Sequence, residues 1–89
     1  MTYSSLTDTI ILSPNGYFPR QDSIRKVTIH HMAGVMTAEE CGRIFQNPAR
    51  QASSNYGIGN DGSIGCYIVE ENASWCSSSY WNDNQAITI

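Results

Sequence analysis

Apolar positions change period along this chain, and each change predicts an element. Thr9-Ile10-Ile11-Leu12 is a short apolar run, a strand or a segment packed along an edge. Ser13-Pro14-Asn15-Gly16 reads as a turn. Tyr17 and Phe18 then lead an irregular stretch to Ser23. Val27 and Ile29 alternate with Thr28 and His30, so the period is two and a strand is predicted over 24–31. His31 then points away from His30. Thr37-Ala38-Glu39-Glu40 has the form of a capping box, and Ala38, Cys41, Ile44 and Phe45 recur at helical spacing. The helix predicted over 38–46 stops at Asn47-Pro48, because the residue before a proline is pushed out of the α region. Alternation returns at Tyr56 and Ile58, which share one face. Asn60-Asp61-Gly62 turns the chain, and residues 63–69 return as the second strand of a hairpin. Residues 73–84 read as a polar loop around Trp75 and Trp81, and Gln85–Ile89 alternates again as a strand.

The order strand, helix, hairpin, loop, strand gives an α/β layout, a mixed central sheet with flanking helices. Eighty-nine residues suffice for one small domain or part of a larger one. Such a chain buries roughly 60–65% of its unfolded surface. The five Lys and Arg residues are scattered and the net charge is −3, which argues against a nucleic-acid partner. No apolar run approaches the ~20 residues of a membrane span, so no membrane partner is expected. Three cysteines, Cys41, Cys66 and Cys76, form no CxxC pair and fit a reducing compartment better than a disulfide framework. The N-terminus has neither a basic region nor a long apolar one, so no signal peptide is expected.

The candidate chemistry centres on Val27-Thr28-Ile29-His30-His31-Met32-Ala33-Gly34. His30 stands where a strand gives way to a small-residue loop, a position open to a hydrogen-bonded strand histidine or a metal ligand. A catalytic zinc takes three protein ligands and keeps an open position. Adjacent strand residues face opposite ways, so His30 and His31 are poorly placed to share one ion. His30 with two of the cysteines has no supporting spacing, and a Cys–His nucleophile pair using Cys76 or Cys66 has no local signature. No phosphate loop and no HExxH occurs. Glu39 and Glu40 suit the helix macrodipole, and Cys41 lies on the apolar helix face. Tyr56, beside Gly57, is either a half-buried sheet tyrosine or a hydroxyl presented to a developing oxyanion.

Val-Thr-Ile-His-His-Met-Ala-Gly, then Ser-Ser-Asn-Tyr-Gly-Ile-Gly-Asn-Asp-Gly-Ser-Ile, then Ser-Trp-Cys, then Asn-Asp-Asn-Gln-Ala-Ile-Thr-Ile occur in that order. Together they resemble the zinc-dependent N-acetylmuramoyl-L-alanine amidases, a family similar to the peptidoglycan recognition proteins. The likeness is greatest to phage or prophage endolysins of Gram-positive hosts and runs from about residue 13 to the end. It implies that His30 is the first zinc ligand and that Tyr56 assists at the scissile amide. Trp75 and Cys76 fall where many members have Trp-His lining the substrate groove, so Cys76 is a departure. The family's further ligands, a His and then a Cys or Asp, lie beyond the last matching strand.

The resemblance therefore implies a peptidoglycan hydrolase that cuts the amide between N-acetylmuramic acid and L-alanine, with zinc as cofactor. It implies synthesis in the cytoplasm and action on the cell wall after release. Residues 1–89 are expected to be the N-terminal portion of one amidase domain, incomplete on its C-terminal side and incompetent alone. Two alternatives stand beside this: a non-catalytic muropeptide-binding module, with Tyr17, Tyr56, Trp75 and Trp81 lining its groove, and a non-functional prophage fragment.

Overall fold

A computed structural model describes residues 1–32 and 34–89; Ala33, in the histidine loop, lies outside the described residues. The strands are β1 (Thr9–Ile10), β2 (Gly16–Tyr17), β3 (Lys26–Thr28), β4 (Tyr56–Ile58), β5 (Ile64–Cys66), β6 (Ala73–Ser74) and β7 (Ala86–Thr88). The helices are α1 (Ala38–Gln46) and α2 (Tyr80–Gln85), with a 3-10 turn at Pro48–Arg50. β5 pairs parallel with β1 and antiparallel with β4, β3 runs parallel to β7, and β2 pairs antiparallel with β6. These ladders form one three-stranded mixed sheet and two two-stranded sheets; with two flanking helices they give the mixed parallel and antiparallel α/β layout the sequence predicts.

α1 forms where the pattern places it. Thr37 accepts from the Glu40 amide at 3.1 Å, and the Glu40 carboxylate accepts from the Thr37 amide at 2.9 Å, closing the capping box. Its apolar stripe, Cys41 and Phe45, packs on Tyr67. The Tyr67 ring lies where glycines leave room: a Cβ on Gly57 would meet its hydroxyl at 2.6 Å, and one on Gly42 its ring edge at 2.8 Å. Its hydroxyl donates to the Ala38 carbonyl at 2.6 Å, so the helix start is tied to the sheet.

The β4–β5 hairpin turns through a three-residue loop. The Gly62 amide donates to the Gly59 carbonyl at 3.0 Å, and the Gly59 amide to the Ser63 carbonyl at 2.8 Å. Gly62 sits at φ 82°, the left-handed position such a loop needs. The opposite face of the hairpin carries Tyr56, Cys66 and Val69, covered by Ile64, Ile87 and Ile89.

Several local expectations change: Gly16 and Tyr17, read as turn and irregular chain, pair as β2, and Ala73–Ser74, read as loop, pair with them as β6. Residues 80–84, read as loop, and Gln85, read as the start of the last strand, form α2 with Ser79 as N-cap. The strand expected over 24–31 pairs as β3 over three residues, although Arg25 N–H to Gln85 and His30 N–H to Ile89 extend its bonding at both ends. Asn15, placed in a turn, is buried, and its amide nitrogen donates to the carbonyls of Phe45, Asn47 and Ala52, each at 3.1 Å. That bond set closes the C-terminal end of α1 against the N-terminal segment.

Two polar nodes join the ladders. The Asn55 backbone N–H donates to Thr88 Oγ1 at 2.9 Å, and its side-chain oxygen accepts from the Thr88 amide at 3.0 Å. Ser74 Oγ shares a 2.7 Å hydrogen bond with Thr88 Oγ1. The second node is Arg20, whose guanidinium donates to the carbonyls of Glu70, Asn72, Asp83, Asn84 and Ala86 at 2.9–3.1 Å. One side chain thus satisfies the C-terminal end of α2 and the segment before β6, where orphan carbonyls and a negative helix end favour a cation.

Candidate functional site

A groove of about 700 Å³ opens where the parallel pair β3 and β7 end. Past β3 the chain continues into His30, whose amide donates to the Ile89 carbonyl at 2.7 Å just past β7. His30, His31, Trp75, Cys76 and Ile89 line the groove, with β4 and the apolar face of α1 forming its other wall. Both imidazoles are solvent-exposed. They reach one groove although strand alternation sends neighbours to opposite faces, because regular pairing stops at Thr28.

Trp75 is set by its backbone. Its N–H donates to Ser53 Oγ at 3.1 Å, and its carbonyl accepts from the Ser53 amide at 3.0 Å. The loop that follows is held by Asp83, which is 2% exposed. The Asp83 carboxylate accepts from the amides of Cys76 and Ser77, each at 3.1 Å, and from Ser77 Oγ at 2.9 Å. Asp83 therefore positions the groove wall from behind. Its role depends on a contact seven residues back in the chain, and no local motif marks it.

The cysteines are poor nucleophiles. Burial, reinforced by the Asp83 carboxylate, pushes the Cys76 thiol up from its ordinary range. Burial, then Glu70, pushes Cys66 up to about 11. Both stay protonated at neutral pH, and the thiolate is the reactive form. The Cys–His pairing left open by the sequence gains no support from this.

Tyr56 also borders the groove. Its side chain is 6% exposed and belongs to the cluster with Cys66 and Val69. The hydroxyl donates to Glu70 Oε2 at 2.5 Å and accepts from the Ser4 amide at 2.7 Å. Burial, then the Glu70 carboxylate, raises its pKa well above the usual phenol range. The hydroxyl is thus engaged with the N-terminal segment and Glu70.

The fit to a catalytic zinc is poor. Among the described residues no group of three or more His, Cys, Asp or Glu side chains could hold a metal ion. His30 and His31 without a third ligand would hold zinc weakly, since affinity comes from several ligands fixed together.

The protein is thus of the α/β class, with a groove lined by imidazole, indole and aliphatic groups at the ends of parallel strands. The family follows from comparison. Residues 20–89 match the family described as N-acetylmuramoyl-L-alanine amidase, and the chain belongs to that family. No curated protein and no solved structure matched it. Among the described residues no helix is long and apolar enough to cross a membrane.

Proposed function

We propose that this chain is a peptidoglycan-binding member of the amidase family, holding a muropeptide in the His30–Trp75 groove without cutting it by itself. The observation that carries this reading is the groove's lining. It brings two imidazoles and an indole together, yet no three-ligand set forms among the described residues. Charge agrees with it. No Asp or Glu lines the groove among the described residues, whereas Arg50 does, in a chain of net charge −3. A cleft free of carboxylates suits a peptide that carries carboxylates of its own. Trp75 and Cys76 are the substrate-binding residues of this reading, with His30 as a hydrogen-bonding group.

The family assignment favours a second reading, hydrolysis of the amide between N-acetylmuramic acid and L-alanine with zinc on His30 and Tyr56 at the oxyanion. That reading needs ligands to join His30 and needs the Tyr56 hydroxyl to leave Glu70 and Ser4. The setting we propose in either case is the bacterial wall, reached after release from the cytoplasm as in a phage or prophage lytic system.

Purified sacculi test both readings. The binding reading expects the protein to sediment with sacculi, the suspension to stay turbid and the protein to carry no stoichiometric zinc. Clearing of the suspension together with one zinc per chain establishes the hydrolytic reading instead.

A further inference from the structure

The cationic side chains of the chain are Arg20, Arg25, Lys26, Arg43 and Arg50. Arg20 is engaged by backbone carbonyls. Arg25 pairs with Asp22 at 3.1 Å and Arg43 with Glu39 at 2.8 Å. Lys26 and Arg50 remain, and of the five only Arg50 lines the groove. Arg50 is exposed, and among the described residues its guanidinium has no hydrogen-bond or ion-pair partner.

A structural duty for Arg50 would be to satisfy carbonyls at the end of α1, as Arg20 does at the end of α2. That duty is already filled. The Asn15 side-chain amide donates to the carbonyls of Phe45, Asn47 and Ala52, and Ser13 Oγ donates to that of Phe45 as well. The Asn47 amide closes on the Ile44 carbonyl and the Gln51 amide on the Pro48 carbonyl, each at 3.2 Å. The backbone that carries Arg50 is nevertheless fixed. Asn47 caps the Pro48–Arg50 turn, its Oδ1 accepting from the Ala49 amide at 3.0 Å. Gln51 follows at φ 50°, a left-handed conformation that residues with a Cβ adopt rarely. Ser53, two residues on, is the group that holds the Trp75 backbone. Arg50 thus stands close along the chain to the anchor of Trp75, on a segment set from both sides.

A guanidinium and a carboxylate pair through two parallel, charge-assisted hydrogen bonds. A carboxamide breaks that match, because it carries no charge and turns an NH2 donor toward the donors of the fork. No described groove residue offers Arg50 a carboxylate, so the counter-charge has to arrive with the ligand.

We infer that Arg50 is a specificity-determining residue of the groove, selecting a peptide with a free carboxylate over the same peptide with that carboxyl amidated. The inference rests on the groove reading for the presence of a peptide and on Arg50 for the choice among peptides.

The test uses a muramyl dipeptide of L-alanine and D-glutamate in two forms, with both glutamyl carboxyls free and with both converted to carboxamides. Binding to the intact chain is followed by calorimetry, and circular dichroism checks the fold of each variant. The wild type should bind the diacid about tenfold more tightly than the diamide, the scale of one charge-assisted contact. Arg50→Gln should lower diacid binding to the level of the diamide, and Arg50→Lys, which keeps the charge without the fork, should fall between. Trp75→Ala should weaken both forms alike. Equal binding of the two forms by the wild type, or a preference for the diacid that survives Arg50→Gln, overturns the role of Arg50 while the groove reading stands. A preference that is lost in Arg50→Gln, with binding of both forms indifferent to Trp75→Ala, overturns the groove reading alone. Failure of the wild type to bind either form overturns both.

Discussion

Arg20 makes five hydrogen bonds, every one to a backbone carbonyl. Lysine carries three donors on a point charge and cannot reproduce the planar fork. Arg20→Lys should therefore lower stability by about 2 kcal/mol in urea unfolding, through carbonyls left without partners. Tyr56 and Tyr67 make a second prediction at this scale. Burial raises both phenols, with Glu70 adding to the shift at Tyr56. The folded chain keeps these protons to higher pH than the unfolded chain does. Their contribution is full below the ordinary tyrosine pKa of about 10 and is lost as pH rises through and beyond it. Unfolding free energy should fall above that pH, less steeply in Tyr56→Phe. The same variant should bind sacculi as the wild type does, since the hydroxyl serves Glu70 and Ser4; lost binding would show that it reaches the ligand.

At the scale of elements, α1 and the β4–β5 hairpin were legible because their signals are local. Thr37 with Glu40 and the 3.6-residue apolar spacing mark the helix, and Asp61-Gly62 marks the turn. α2 was not legible. It is six residues long, rich in Asn and Asp, and carries no apolar periodicity; Ser79 caps it and Arg20 closes its far end. Those contacts come from distant parts of the chain, as do the partners of Asn15. The site divides in the same way. His30 and Trp75 could be named from the resemblance, whereas Asp83 behind the groove and the engagement of Tyr56 by Ser4 required the fold. The glycines around Tyr67 give the element-scale prediction. In Gly57→Ala the new methyl would meet the Tyr67 hydroxyl, so α1 would separate from the sheet or strain it. The expected loss is about 1–3 kcal/mol by chemical denaturation, with near-ultraviolet circular dichroism reporting the disturbed Tyr67.

At the scale of the whole molecule, β3 pairs on one side with β7, and the apolar residues in it and just after it are exposed: Val27 is 60% and Ile29 82% exposed. An open edge with β-branched residues invites strand addition by another chain. The protein should elute earlier from size exclusion as concentration rises, and Val27→Lys should hold it as a monomer without loss of groove binding. Elution independent of concentration in the wild type would contradict this. The groove gives the molecule its purpose in our account: two imidazoles, one indole, no carboxylate and no three-ligand metal set among the described residues. The most direct measurement is co-sedimentation of the purified chain with sacculi, with turbidity and released amino groups followed in the same tube. The account predicts retention of the wild type, reduced retention of Trp75→Ala, constant turbidity and no new N-terminal alanine. Clearing with release of alanine amino groups, or a wild type that stays in the supernatant, would contradict it.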